Sequence, residues 1–289
     1  MRLFYLEDQK GERIPLNNET GIFLYHPSGM GIANSHSYGE SGTGFFLRQK
    51  DGIEQLEMGG SLIFPPGGEG PYARYRNFID WLYASEELYF IYCPYGSNEY
   101  YRRVEIQTIE KSELNEYGML ECAISILPMT PWYLPSPVHI DFGDDQEDAM
   151  RYDFYYTDDL IYGVSSNDYT AQITASGHIP SAVKVTFKGE AINPVLTLRG
   201  AISRKAYGIC SIYENFEETD TLVFSTAEQD SYVRKIDSLG EETDLLDKID
   251  ITTNPFFRVP LTEPCELTIS GESIYGEASM LLYIYYRGV

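Results

Sequence analysis

Leu120-Glu121-Cys122-Ala123-Ile124-Ser125-Ile126 sets Leu120, Cys122, Ile124 and Ile126 against Glu121, Ala123 and Ser125. One side apolar and the other largely polar, with a repeat of two residues, is the pattern of a strand with one face on a core and one on solvent. Working outward, Val104 and Ile106 alternate with Arg103, Glu105 and Gln107. Val183, Val185 and Phe187 alternate with Lys184, Thr186 and Lys188, and Leu267 and Ile269 with Thr268 and Ser270. Met280 to Tyr286, rich in Leu, Ile and Tyr, adds a strand near the end of the sequence. Strands therefore dominate both halves, and the fold class is mainly β.

One segment breaks the rule. After Gly67-Gly68-Glu69-Gly70-Pro71, the residues Tyr75, Phe78, Ile79 and Leu82 fall at i, i+3, i+4 and i+7. That spacing makes one stripe of an α-helix, which Pro71 suits as a first-turn residue. Arg74, Arg76, Asn77 and Asp80 take the opposite face, so the helix is expected to lie on a sheet with Trp81 at its margin. A strand, Leu88-Tyr89-Phe90-Ile91-Tyr92, follows at once.

At 289 residues the chain exceeds the usual size of one core, and two domains of roughly 130 to 150 residues are expected. Pro128, Pro131, Pro135 and Pro137 are expected to end regular structure before the acidic stretch Asp141 to Asp148. The junction is placed there, giving domains 1–135 and 136–289. The glycines Gly29, Gly31, Gly39, Gly42 and Gly44 have no G-K-[ST] after them, so they read as turns and a mobile loop between N-terminal strands rather than a phosphate loop.

The formal net charge of -23, from 44 acidic and 21 basic residues, opposes binding to a phosphate backbone or an anionic lipid surface. Neither nucleic acid nor a membrane is expected as a partner. The N-terminus, Met1-Arg2-Leu3-Phe4-Tyr5-Leu6-Glu7-Asp8, lacks the apolar run of a signal peptide, which implies folding in a cytoplasm. Cys93, Cys122, Cys210 and Cys265 are widely spaced among apolar neighbours and read as separate core thiols.

Catalytic constellations are not recognisable. His26 and His36 flank the glycine-rich stretch, His139 lies in the linker and His178 in a turn; each reads as a surface or turn histidine. Asp144-Asp145, Asp158-Asp159 and Glu217-Glu218 are carboxylate pairs of the kind that 44 acids supply by chance. Catalytic, cofactor and metal residues are therefore read as none, binding residues stay unassigned, and no cofactor is expected. The 25 tyrosines stand out, with Tyr89, Tyr92, Tyr95, Tyr100 and Tyr101 around one hairpin-like segment. An apolar ring with a polar tip suits protein interfaces and sugar-stacking platforms alike.

From Pro71 to Tyr133 the chain resembles the siphophage distal tail protein family, the ring subunits at the tail tip that carry the adhesion apparatus. The resemblance lies in Tyr75, Phe78 and Trp81-Leu82 on a helix, Leu88 to Tyr92 before Pro94, Tyr100-Tyr101-Arg102-Arg103-Val104, Lys111-Ser112-Glu113, Gly118 to Cys122 and Pro131-Trp132-Tyr133. Asp244-Leu245-Leu246-Asp247, Ile249-Asp250 and Phe256-Phe257-Arg258-Val259-Pro260 resemble the family's C-terminal domain. This implies an N-terminal β-sandwich with one helix and a β-hairpin that closes into a hexameric ring, and a galectin-like, jelly-roll C-terminal β-sandwich. It also implies the tail tube and the tail-associated, receptor-binding or fibre proteins as partners, a place at the tail tip of a phage or prophage virion, assembly in the host cytoplasm, and no active site.

Two rival readings stand beside it. A carbohydrate-binding, lectin-like module would stack sugars on Tyr155, Tyr156 or Tyr162. A glycosidase or peptidase on a β scaffold is the third, since fold does not fix function.

Overall fold

The computed structural model describes residues 2–17, 21–40, 42–95, 98–142, 168–227 and 231–289. The chain divides into two compact units, Met1–Leu134 with Tyr286–Val289, and Pro135–Tyr285. Both are mainly β, as the period-two pattern predicts.

The first unit contains β1 (Leu3–Asp8), β2 (Arg13–Pro15), β3 (Phe23–Ser28), β4 (Ala33–Glu40), β5 (Phe46–Glu54), β6 (Met58–Phe64), helix α1 (Pro71–Ala84), β7 (Leu88–Cys93), β8 (Tyr100–Leu114), β9 (Leu120–Pro128) and the start of β10 (Trp132–Val138). Antiparallel pairing runs β2-β1-β7-β8-β9-β6-β3. The amide of Leu24 in β3 donates to Leu16 O beside β2, which brings the two ends of that path together. The sheet thus wraps round one core, where Phe4, Leu6, Leu62, Phe64, Phe90, Cys122, Ile124 and Trp132 are buried. Leu120, Cys122, Ile124 and Ile126 all point into it, as the opening heptapeptide requires.

Helix α1 starts where Gly70 adopts φ +88 and Pro71 takes the first turn, and stops where Ser85 turns extended and caps Trp81 O with its hydroxyl. Phe78 is its buried anchor, with its ring 6.0 Å from Phe64, while Tyr75 meets Phe64 edge-on at 5.6 Å. Trp81 is half-buried and stacks on Phe78. Arg74, on the face opposite the apolar stripe, turns its guanidinium back to donate to Pro65 O at 2.8 Å and lies against Gly21 and Gly68. A long stem lets a residue on the outer face of a helix reach a carbonyl in the preceding turn.

Strand β9 ends at Pro128 as expected, but for Pro135 and Pro137 the expectation that prolines end regular structure is corrected, because both lie inside β10. A proline's φ suits extended chain, and its missing N–H matters only where a neighbour needs a donor.

The second unit contains β11 (Asp141–Phe142), β12 (Tyr169–Ile173), β13 (Ile179–Ile192), β14 (Val195–Gly200), β15 (Ala206–Ser211), β16 (Asn215–Phe216), β17 (Thr221–Thr226), β18 (Ser231–Ile236), β19 (Glu242–Asp244), β20 (Cys265–Ser270) and most of β21 (Ser273–Tyr286). One sheet runs β19-β18-β17-β13-β21 and the other β11-β12-β20-β14-β15. The two pack through buried apolar residues, with the Tyr169 ring of β12 5.4 Å from Phe187 of β13.

At one point β13 and β21 approach closely, where Gly189 pairs with Gly276. A Cβ on Gly276 would sit 2.1 Å from Lys188 O and 2.8 Å from Gly189 Cα. The Tyr169 hydroxyl fills the role of a ladder partner, donating to Gly276 O at 2.5 Å and accepting from Gly276 N at 2.8 Å. The outer edge of β15 is closed by the segment after β19: Tyr207 O, Ile209 O and Ser211 O accept from Asn254 Nδ2, Thr253 Oγ1 and Asp250 N.

Candidate protein-protein interface

The glycine-rich stretch, expected as turns and a mobile loop, is instead a two-stranded antiparallel arm. β4 and β5 pair from Ala33 opposite Glu54 to Glu40 opposite Phe46, with a bulge between Ser37 and Tyr38. Glycines make its turns, as expected: Gly42 and Gly44 take φ +81 and +82 at the tip. Gly39 lies within β4. The arm forms a sheet of its own, β4 with β5. A lone two-stranded hairpin is marginal in water.

Its base is clamped. Gly29, at φ +73, is so close to the neighbouring chain that a Cβ would lie 2.0 Å from Glu57 O. Trp132 Nε1 donates to Met30 O and Gln55 Nε2 to Pro128 O. Beneath it the buried Arg102 donates from Nε to Thr130 O and lies over the Trp132 ring, and burial lowers its pKa to about 10. The tip is bare by contrast. Phe45, Phe46 and Leu47 are 73%, 69% and 61% exposed, and Tyr38 is 60% exposed. Three consecutive large apolar residues in solvent are a liability unless something covers them.

A groove in the same unit lies between α1 and β8. It encloses about 510 Å³ and is lined by Tyr72, Tyr75, Arg76, Ile79, Lys111 and Glu113. The Tyr72 hydroxyl donates to Glu113 Oε2 at 2.6 Å, and that bond holds the phenol above its usual pKa. Lys111 Nζ sits 4.9 Å from the Tyr72 ring centre.

Residues 3–129 match the family model of the distal tail protein N-terminal domain. The N-terminal unit thus carries a distal tail protein N-terminal domain. Among solved structures, the whole chain is similar, over 100% of both lengths, to a chain of the phage P2 baseplate in its activated conformation with Ca, at 13% identity and TM-score 0.71. It is also similar to the SPP1 Dit protein, described as a paradigm of the hub adsorption apparatus in phages infecting Gram-positive bacteria, at 10% identity over 97% of both chains and TM-score 0.57. No curated protein matches it significantly.

The tyrosine cluster is largely turned inward. Tyr92 stacks on Phe4 at 5.2 Å, Tyr100 meets Tyr286 edge-on, and Tyr101 stacks on Tyr133. Tyr89 donates to Glu87. The Tyr101 hydroxyl donates to Glu99 and accepts from Arg13, and burial pushes its pKa up to about 12. Tyr95 alone of the five is open, at 91% exposure.

The histidines fall in several settings. His26 lies edge-on to Tyr25, His36 contacts Arg48 on the arm, His139 Nε2 is 3.1 Å from Asp141 on the surface, and the His178 amide bonds Tyr285 O. The four cysteines are buried free thiols, and burial raises Cys210 to about 12 and Cys265 to about 11.

Near Glu217 and Glu218, the Glu217 amide donates to Asp220, whose carboxylate is held by Lys235 at 2.8 Å. Among the described residues no three His, Cys, Asp or Glu side chains converge on a point fit for a metal. Asp144-Asp145, Asp158-Asp159, Tyr155, Tyr156 and Tyr162 lie outside the described residues.

The resemblance implies a β-hairpin in this unit, but sequence reading did not place one at β4 and β5. Its signal was Phe45-Phe46-Leu47 directly after a two-glycine turn, in a stretch otherwise too polar to be buried.

Proposed function

We propose that the chain is a distal tail protein that closes into a ring with copies of itself at the tip of a phage or prophage tail. The ring docks the tail tube on one side and the tail-associated and receptor-binding or fibre proteins around it. The chain acts through its surfaces and catalyses no reaction; it is made in the host cytoplasm and ends in the virion. The resemblance between Pro71 and Tyr133 supports six copies.

The observation that carries the reading is the arm, with its clamped base and its tip of Tyr38, Phe45, Phe46 and Leu47 in solvent. A protruding apolar tip that fits a different patch on the next copy makes a head-to-tail contact. Such contacts give a ring when the rotation closes and a filament when it does not.

Light scattering and negative-stain electron microscopy on the purified chain, over a range of concentrations, test the reading. A single closed assembly with rotational symmetry is expected. Monomers at every concentration, or filaments of unlimited length, would refute it.

A further inference from the structure

We propose that the arm of one copy seats in the groove between α1 and β8 of the next, Phe46 entering between Tyr72, Tyr75 and Ile79 while Glu40 meets Arg76 and Lys111. This rests on the ring reading above and names the socket that the ring would use.

The two surfaces match in chemistry. Glu40 stands directly opposite Phe46 at the end of the arm, so a carboxylate accompanies the aromatic tip. It has no ion pair among the described residues. The groove presents two tyrosine rings and an isoleucine bordered by two cations, Arg76 and Lys111, against one carboxylate, Glu113, which accepts from the Tyr72 hydroxyl. Both cations are exposed, and neither has a carboxylate partner within ion-pair distance among the described residues. In a chain with 44 acids and 21 bases, two such cations beside an apolar groove are a distinctive target for an acidic aromatic tip.

Size agrees as well. The groove's 510 Å³ falls within the roughly 300 to 1,000 Å³ of sites that hold drug-sized ligands, ample for a phenyl ring and its flanking side chain.

A second groove is unsuited. It is lined by Glu214, Glu217, Asp220, Lys235, Asp237, Ser238, Thr243 and Leu245, four carboxylates against one lysine with one large apolar wall. Glu40 would be repelled there, and Phe46 would find only Leu245 to pack on.

Charge reversal and rescue test the assignment, read as the concentration at which half of the full-length chain is assembled. Glu40, Arg76 and Lys111 are exposed, so reversing them leaves the fold intact. Glu40→Lys alone and Arg76→Glu with Lys111→Glu alone should each raise that concentration about tenfold, as like charges replace a match. The triple variant Glu40→Lys, Arg76→Glu, Lys111→Glu should return it to within about threefold of the unaltered chain.

If the reversals leave assembly unchanged, or the triple variant fails to rescue, while Phe46→Ser abolishes the ring, the arm uses another socket. This assignment then falls and the ring reading stands. If the unaltered chain never assembles, both fall together.

Discussion

Gly276→Ala should destabilise the second unit sharply, although the same change in an open strand would stabilise it by reducing the freedom of the unfolded chain. The added methyl would lie 2.1 Å from Lys188 O and 2.8 Å from Gly189 Cα, both backbone, in the middle of the β13 to β21 ladder. Backbone cannot swing aside as a flexible side chain does, so the strands must part. Overpacking of this kind costs about 1 to 3 kcal/mol. Separation also pulls Gly276 away from the Tyr169 hydroxyl, which both donates to and accepts from it. Two hydrogen bonds at about 1 kcal/mol each bring the total to about 3 to 5 kcal/mol. For a unit of this size that lowers the thermal midpoint by roughly 10 °C or more. Urea denaturation and calorimetry of Gly276→Ala, Tyr169→Phe and the double variant measure it. The double variant should lose about 1 to 2 kcal/mol less than the sum of the singles, because the first change already disrupts what the second removes. A Gly276→Ala chain as stable as the parent, or more stable, would refute the close approach.

Three further outcomes are expected. The Glu263 carboxylate accepts from the Ser203 and Tyr207 hydroxyls and the Ser203 and Ile202 amides, which hold its pKa down to about 2. A depressed folded pKa gives stability that is present above the unfolded value and is lost as pH falls toward about 2. Glu263→Gln should therefore be less stable than the parent at pH 5, with the gap closing by pH 2 in paired thermal melts. A thiol reagent such as Ellman's should leave Cys122 and Cys210 untouched in the folded chain and label them in denaturant, since both are buried with raised pKa values. Trp132→Ala should cost about 3 to 5 kcal/mol in urea unfolding, because the indole is fully buried and meets Phe90 and Tyr92.

The strands were legible wherever one face is buried. Leu120 to Ile126 and Val183 to Phe187 alternate because alternate residues touch a core, and α1 was legible because Phe78, Tyr75 and Ile79 share one stripe. The arm was not, since β4 is exposed along nearly its whole length and has no buried face to impose a period. Its strand character comes from pairing with β5 alone, which leaves no mark in hydropathy. The reach of Arg74 to Pro65 was hidden for another reason: helical spacing reports the direction of Cβ and not where a long side chain ends. The groove joins residues of α1 to Lys111 and Glu113, some thirty residues on, a juxtaposition that only tertiary structure reveals.

The closed flank of β15 has a consequence for how such a chain survives being made in quantity. A strand whose outward carbonyls are already engaged by Asn254, Thr253 and Asp250 offers no template on that side for an arriving polypeptide to zip onto. Accretion by random cross-strand addition, the route to amyloid and tangled aggregates, is denied there. That flank therefore takes no part in open-ended growth when many copies are crowded together.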